Sequence, residues 1–465
     1  MEPQEQSERQ ICLAIVLGRE GTEVLLKIPG PGFAFPAVEV PRWERLAENL
    51  TATLKRDCGC DAVCLFSPNH SSEDRDSNGK HYEVMECLRE GGRKDETVWK
   101  PIRSLTADSF QNEAEFRILA ECLHQLDRYE RDPSSPFARR GWLAELRRWT
   151  AEVIRPLGLE LTGPFCQYNA SPSFSLIRFE TDGPAVWFKA VGEPNHREFS
   201  ITLNLSQQFP KYLPKPLGTR ADWNGWLSLE APGTNLRETP EIALWESAAE
   251  SLARLQIESV AKTESILDAG AHDLRTEPLS GLVHPFLALT ARLMEQQTKI
   301  LPPVLSHQEL SLLGVRIEDS LTLLEDLGLP EVLGHSDLNP GNVIVSADDC
   351  VFVDWAEAYV GHPFFSFEYL LEHFRHAIGT DVALESRLAS CYSAPWRQLF
   401  SGGIVAEALA LAPLAAVFAY AAGGDAWKNQ ERLEDPKVAG YFRSLARRMN
   451  REAIRFADRR SPCLS

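Results

Sequence analysis

The segment Leu333–Trp355, LGHSDLNPGNVIVSADDCVFVDW, constrains the fold and chemistry of this chain more than any other. It contains a histidine, an aspartate and an asparagine in the spacing H-x-D-x-x-x-x-N, at His335, Asp337 and Asn342. Two short apolar runs follow with a turn between them, and the second run leads into Asp354. This alternation predicts a β-hairpin that brings Asp354 back towards Asn342.

Phosphoryl transfer requires this combination of residue types. Its transition state spreads negative charge over phosphate oxygens, so a protein mainly positions and neutralises the reacting groups. Mg²⁺ is a hard ion that takes oxygen ligands and uses few protein carboxylates. We therefore predict Asn342 and Asp354 as magnesium ligands and Asp337 as the base for a hydroxyl. His335 is the second candidate catalytic residue, and for it we favour a role in holding the loop by hydrogen bonds.

The segment resembles the aminoglycoside phosphotransferase and choline kinase-like family, whose pattern is H-G-D-x-x-x-x-N followed by I-D-W or a similar ending. Ser336 replaces the glycine, and His362 replaces the usual acid in the G-D-P-x-x segment that follows. The resemblance covers roughly Thr162 to the C-terminus. It implies a bilobal kinase-like fold with ATP between the lobes and the phosphorylation of a small-molecule hydroxyl.

The same resemblance implies nucleotide-binding residues upstream. Lys189 ends V-W-F-K, which looks like the strand that carries the phosphate-binding lysine, and Glu198 is placed to pair with it. Leu227–Glu230 looks like the hinge that binds adenine, which makes Glu230 a candidate. Gln167–Ser173 stands at the nucleotide loop but lacks the protein-kinase glycines. A solvated lysine and a surface glutamate are the alternatives for the first pair.

Residues 10–128 resemble a Nudix domain in the order of strand, turn, amphipathic helix and the sequence R-D-C-G-C-D. A Nudix helix needs clustered glutamates to bind magnesium. When the positions of the Nudix pattern are counted back from Gly59, only Glu44 falls on a position where that pattern has a glutamate. The other four positions hold Ala52, Thr53, Arg56 and Asp57. The resemblance thus implies a Nudix-like fold with a degenerate catalytic box.

The length of 465 residues predicts two or three domains. Pro, Ser and charged residues cluster in YERDPSSPFARRG, which marks the clearest break. We predict an α+β chain. It comprises the Nudix-like domain at 10–128, a linker at 129–141, a kinase-like N-terminal lobe at 142–235, and a helical C-terminal lobe with the catalytic loop at 236–465.

The amino-acid composition restricts the classes of molecule that this chain is expected to bind. The net charge of −18 argues against nonspecific binding to nucleic acid or to an anionic membrane, and it fits a small cationic substrate. The polar N-terminus has no apolar core of a signal peptide, so a cytoplasmic location with reduced thiols is expected. The Ala-rich stretch at 408–422 predicts a buried helix. We interpret Cys58, Cys60 and Cys64 as thiols rather than as a metal site.

Two functions from different classes remain open. The first is an ATP- and Mg²⁺-dependent O-phosphotransferase whose acceptor is an antibiotic, choline, a sugar or an amino-acid alcohol. The second is a pseudokinase-like sensor that binds a nucleotide or metabolite and signals through the Nudix-like domain. An active Nudix hydrolase fused to a kinase is disfavoured by Ala52, Thr53 and Arg56. A homodimer through the N-terminal domain is a further expectation.

Overall fold

The computed structural model describes residues 9–18, 20–41, 44–68, 81–90, 96–346 and 349–460. The chain divides into two compact units. The first, called the sheet unit, comprises Met1–Phe199 and Pro216–Glu230. The second, called the helical unit, comprises Ser200–Lys215 and Ala231–Ser465.

The N-terminal part of the sheet unit is built on a seven-stranded sheet. Its strands are β1 (Arg9–Leu17), β2 (Glu23–Gly30), β3 (Gly32–Ala34), β4 (Ala37–Pro41), β5 (Cys60–Phe66), β6 (His81–Glu90) and β7 (Thr97–Pro101). The order β3-β2-β1-β6-β5 forms the main path, β4 pairs with β1, and β7 pairs with β2. Ile15 of β1 lies opposite Val84 of β6 in a parallel pair, and both are fully buried.

Two helices accompany this sheet, α1 (Leu46–Thr53) and α2 (Glu113–Tyr129). A π-helical turn extends α1 to Cys58, and Gly59 ends it with a φ of 67° that favours glycine. Helix α1 begins at Leu46, and residues 42 and 43 lie outside the described residues. The Nudix-like identity of residues 10–128 stays a prediction.

The rest of the sheet unit holds a five-stranded antiparallel sheet in the order β11-β12-β10-β9-β8. Its elements are α3 (Trp142–Ile154), β8 (Leu161–Ala170), β9 (Ser175–Thr181), β10 (Val186–Ala190), β11 (Pro216–Arg220) and β12 (Gly225–Leu229). Helix α4 (Arg197–Gln208) follows β10, and from Ser200 onwards it belongs to the helical unit. Phe137, within the segment predicted as a linker, packs edge-on against Trp142, Phe188 and Trp223. One apolar core therefore contains this segment and side chains from both sheets.

The helical unit packs long helices around two small sheets. Its helices are α5 (Ile242–Ser259), α6 (Thr263–Asp268), α7 (Thr276–Ser280), α8 (Val283–Glu295), α9 (His307–Asp326), α10 (Phe364–Ile378), α11 (Val382–Trp396), α12 (Gly402–Gly423), α13 (Gln430–Leu433) and α14 (Pro436–Arg460). Its strands are β13 (Thr234–Asn235), β14 (His272–Leu274), β15 (Val332–His335), β16 (Val343–Val345), β17 (Cys350–Phe352) and β18 (Ala358–Gly361). They form the sheets β13-β16-β17 and β14-β18-β15.

Helix α12 contains the Ala-rich stretch and confirms the predicted buried helix. By length and composition it is the one helix among the described residues that could cross a membrane. Most of its apolar window is buried within the protein, as in the core helix of a globular protein. This helix is therefore accounted for by packing in the helical unit.

Candidate active site

The predicted hairpin after the H-x-D-x-x-x-x-N segment is present. Strands β16 and β17 pair antiparallel with Ile344 opposite Val351, although residues 347 and 348 of the turn lie outside the described ranges. The N–H of Val353 donates to the carbonyl oxygen of Asn342 at 3.0 Å. Because Asp354 is the next residue, the hairpin returns it beside Asn342, as the spacing predicts.

Neutral donors hold the Asp337 carboxylate. Asn342 Nδ2 donates to the backbone oxygen of Asp337 at 2.9 Å and to its Oδ2 at 3.2 Å. Asn339 Nδ2 donates to Oδ1 at 3.0 Å, and the Tyr369 hydroxyl lies 3.5 Å from the same oxygen. Amide and hydroxyl donors orient a carboxylate without supplying a full positive charge.

His335 is completely buried under the loop. The N–H of Asp337 donates to His335 Nδ1 at 3.2 Å, so that nitrogen is unprotonated. Nε2 must then carry the hydrogen of the neutral ring and donate it to the Val353 carbonyl at 3.1 Å. The ring also lies 4.6 Å from that of Trp355. This geometry supports the favoured interpretation, in which His335 fixes the loop to the hairpin.

Asp354 adopts a left-handed backbone conformation with a φ of 66°. Such conformations are strained for residues other than glycine and cluster at functional sites. Its exposed carboxylate and the Oδ1 of Asn342 are both hard oxygen donors, which fit Mg²⁺. No group of three or more His, Cys, Asp or Glu side chains that could hold a metal occurs among the described residues. Phosphate and water oxygens would therefore complete the coordination of Mg²⁺ here.

The pair predicted upstream is also formed. Lys189 on β10 places Nζ 2.5 Å from Oε1 of Glu198, in the first turn of α4. The Glu198 side chain is 1% exposed and that of Lys189 is 14% exposed. A lysine and a glutamate this deeply desolvated must pair to avoid a large energetic cost. The alternatives of a solvated strand lysine and a surface glutamate are therefore wrong.

Glu230 has local partners. Its carboxylate accepts hydrogen bonds from Arg178 at 2.7 and 3.0 Å and from Trp187 Nε1 at 3.3 Å. The Arg178 guanidinium lowers the pKa of Glu230 below its ordinary value. Its backbone N–H donates to the carbonyl of Ala185. Adenine binding by this residue stays a prediction, and it would use the backbone carbonyl rather than the side chain.

The predicted nucleotide loop has an anchor that the sequence does not reveal. Gln167, 1% exposed, donates from Nε2 to the Cys64 carbonyl at 3.1 Å and accepts from the Cys64 N–H at 2.8 Å. The Arg45 guanidinium lies 4.9 Å from the centre of the Tyr168 ring. Strand β8 is thus tied to the N-terminal part of the sheet unit at the residue where the loop begins.

The part of the chain that contains the Asp337 loop and the hairpin is similar to known proteins. Residues 196–399 match the phosphotransferase enzyme family. No curated protein matches the chain. Similar solved structures include the macrolide 2'-phosphotransferase of Brachybacterium faecium, with 17% identity, a TM-score of 0.40, and coverage of 63% of this chain and 98% of that one. The choline kinase of Streptococcus pneumoniae shows 15% identity, a TM-score of 0.42, and coverage of 68% and 98%.

A cavity of about 750 Å³ opens beside the loop that holds His335 and Ser336, within the helical unit. Ser336 and Tyr369 line it next to Asp337, and Glu368, Arg375 and Arg448 line it further along. Burial raises the pKa of Glu368 to about 7. The cavity is within the usual size range for small-molecule sites and brings both charge signs near the proposed base.

Some residues of this site escaped the sequence analysis. Tyr369 reaches Asp337 from α10, and Arg237 reaches Asn339 from the segment after β13, with Nη2 2.9 Å from Oδ1. Asn339 also accepts from the Gly341 N–H, which closes an Asx turn. An Asn-Pro-Gly sequence is a signal for such a turn and could have identified Asn339. The two residues from distant segments carry no signal of this kind.

Proposed function

We propose that this protein is a phosphotransferase that uses ATP and Mg²⁺ to phosphorylate a hydroxyl group of a small molecule. One observation carries the proposal. The hydrogen-bonded hairpin brings the carboxylate of Asp337, the amide of Asn342 and the backbone before Asp354 into one network. The match of residues 196–399 to the phosphotransferase enzyme family supports this assignment.

Asp337 acts on the acceptor in this proposal. Its carboxylate accepts the proton of the hydroxyl while the hydroxyl oxygen forms a bond to the γ-phosphorus of ATP. The bond from that phosphorus to the bridging oxygen breaks, and ADP leaves. Asn339 and Asn342 keep the carboxylate in a fixed orientation through the transfer. His335 contributes by positioning the loop and does not exchange protons with the reactants.

Lys189 and a magnesium ion neutralise the phosphate groups in this proposal. Lys189, held by Glu198, binds phosphate oxygens of the nucleotide. Asn342 and Asp354 hold the magnesium ion, which neutralises phosphate charge when it is bound. Asp354 combines a left-handed backbone conformation with an exposed side chain.

The cavity beside Asp337 binds the acceptor in this proposal. Its lining contains glutamates and arginines, so it fits a polar acceptor that carries groups of both signs better than a purely cationic one. Glu372 illustrates the point, because Arg375 and Arg448 both pair with it, at 3.7 and 3.2 Å. This replaces the expectation from the net charge, which points to a cationic substrate. The surface that lines a site decides specificity more directly than the total charge.

A nucleotide-binding sensor is the second candidate function. It is favoured by the Gln167 anchor, which links the predicted nucleotide loop to Cys64 of the N-terminal part. A change in that loop would then be transmitted to the Nudix-like region. A cytoplasmic location and a homodimer through residues 10–128 are further parts of the proposal.

ATP consumption measured against a panel of small hydroxyl compounds tests the enzyme proposal. The panel includes amino alcohols, sugars and hydroxyl compounds that bear both an amine and a carboxylate. We expect turnover with at least one compound, and loss of that turnover in Asp337→Asn. Binding of magnesium-ATP without turnover on any acceptor would favour the sensor instead. Absence of nucleotide binding in a folded protein would contradict both.

A further inference from the structure

A second cavity of the helical unit concentrates positive charge in an otherwise acidic chain. It measures about 1560 Å³ and lies along α8, α13 and α14. Seven of its lining side chains are Lys or Arg, and one, Glu434, is acidic. The whole chain has 48 Lys and Arg against 66 Asp and Glu. We call this cavity the basic groove, and such a local excess of positive charge requires an explanation.

Most of these cations lack a carboxylate partner. Lys428 pairs with Asp425 at 3.0 Å. None of the other six forms an ion pair within the described ranges: Arg292, Lys299, Lys437, Arg443, Arg447 and Arg451. Elsewhere in the unit arginines do find acids, as Arg455 does with Glu452. The excess in the basic groove is therefore a property of this surface and not of arginines in the unit generally.

Two arginines of the groove are fixed in place by carbonyl groups. Arg443 Nη1 donates to the Leu293 carbonyl at 3.1 Å, and Arg447 Nε donates to the Pro303 carbonyl at 2.7 Å. Arg447 Nη2 also donates to Gln297. These bonds use only some of the five N–H donors that each guanidinium carries. The remaining donors can meet a ligand in the groove without a large loss of side-chain entropy.

Keeping these two guanidinium groups together has an energetic cost. Arg443 and Arg447 stand one helical turn apart on α14, and both are partly buried. Partial burial, and then the charge of Arg443, lower the pKa of Arg447 below its ordinary value. Like charges in this arrangement repel each other, and an anion between them would add an attraction to each that outweighs the repulsion.

We propose that the basic groove binds a small molecule that carries two or more phosphate groups. Phosphate oxygens suit the planar fork of arginine, and several phosphates are needed to neutralise six cations. The volume exceeds the usual range of about 300–1,000 Å³ for small-molecule sites, which fits an extended ligand. Asp337, Asn342 and Asp354 do not line this cavity, and Arg451 is the one groove cation that also lines the cavity beside Asp337.

Calorimetric titration of the full chain with inorganic tripolyphosphate, in buffer without magnesium and at low ionic strength, tests this site. We expect saturable binding that weakens at least tenfold in the double variant Arg443→Gln, Arg447→Gln, because charge-assisted bonds are lost. Arg432→Gln, an exposed position on α13 that does not line the groove, is the matched control and should bind as the parent does. Raising the salt concentration should weaken binding in the parent and in the Arg432→Gln control.

Two further variants keep the outcome independent of folding and of the proposed activity. Arg292→Gln with Lys437→Gln removes exposed cations that make no side-chain hydrogen bond in the described part, and it should also weaken binding. Lys189→Met combined with Glu198→Gln removes the proposed phosphate ligand of ATP without leaving a buried unpaired carboxylate, and it should leave tripolyphosphate binding at the groove intact. The proposal is wrong if the parent does not bind, if both groove variants bind as the parent does, or if citrate binds as tightly as tripolyphosphate. Loss of binding only in the variant Lys189→Met, Glu198→Gln would place the phosphate at the nucleotide-binding residues instead.

Discussion

The hairpin of the helical unit and helix α1 of the sheet unit are two places where the sequence suggests magnesium chemistry. In the hairpin, Asn342 bonds Asp337 and a backbone bond holds Asp354 nearby. After α1, Arg56 pairs with Asp57 at 2.8 Å, so a cation occupies the position where a ligand is needed. The comparison teaches that a resemblance in sequence pattern does not by itself argue for activity, and that the residues of a site do.

The largest expected effect comes from Asp354→Asn in the hairpin. The change removes a charged oxygen ligand from a hard cation, so magnesium-ATP affinity and turnover should both fall. Several kcal/mol of charge stabilisation correspond to a loss of about a thousandfold in turnover. Calorimetry with magnesium-ATP and initial-rate assays measure the two effects. If this variant bound magnesium-ATP as tightly as the parent does, Asp354 of the hairpin would not be a metal ligand.

Lys189→Met tests the buried ion pair as a structural element. It leaves the carboxylate of Glu198 buried without its lysine, which should lower the free energy of unfolding by about 3–5 kcal/mol. Adding Glu198→Gln should restore most of that stability and none of the nucleotide binding. Denaturant unfolding and ATP titration measure the two outcomes. If the double variant were as unstable as Lys189→Met alone, the unpaired Glu198 carboxylate would not account for the loss of stability.

Asp337→Asn separates proton transfer from nucleotide binding. Asparagine has nearly the same shape as aspartate, so magnesium-ATP affinity should stay near the parental value. Turnover should fall about a hundredfold or more, because the proton acceptor is lost. The contrast with Asp354→Asn is the diagnostic result, because both variants are slow and only one binds nucleotide weakly. Full activity of Asp337→Asn on an identified acceptor would overturn the catalytic assignment.

In the N-terminal part of the sheet unit we expect a smaller effect, a dependence of the free energy of unfolding on pH. Glu83 of β6 is 3% exposed, and burial raises its pKa from 4.5 to about 7. The Ser67 hydroxyl and the Cys64 thiol face it, and no cation pairs with it among the described residues. Between pH 4.5 and 7 the folded state therefore holds a proton that the unfolded state has lost.

Stability should consequently fall as pH rises through this window, by up to about 3 kcal/mol, and level off above pH 7. Chemical unfolding at several pH values should show this slope reduced in Glu83→Gln. Glu121→Gln, an exposed position on α2, is the control and should keep the parental slope. Equal slopes in parent and Glu83→Gln would show that Glu83 is already ionised at pH 5.

The smallest expected effect concerns Nudix chemistry itself. With Arg56 beside Asp57, the full chain should not hydrolyse nucleoside diphosphate derivatives in the presence of magnesium, and Glu44→Gln should change neither that result nor the melting temperature. A phosphate-release assay measures this. Magnesium-dependent hydrolysis that is lost in Glu44→Gln would erase the contrast between the two regions.

The sequence alone determined the features that depend on short separations along the chain. The hairpin that links Asn342 to Asp354 follows from two apolar runs and a turn, because strand pairing across a tight turn is a local event. The pair of Lys189 and Glu198 followed from the family resemblance and spans nine residues. The buried helix α12 likewise follows from its Ala-rich stretch, because a continuous apolar run reports burial directly.

Only the tertiary structure decided the contacts between distant segments. Gln167 meets Cys64 across 103 residues, Arg237 meets Asn339 across 102, and Tyr369 meets Asp337 across 32. The basic groove likewise collects cations from α8, α14 and the segments between helices. Periodicity shows that a side chain is buried or exposed but not which other side chain it meets, because that depends on how whole elements pack.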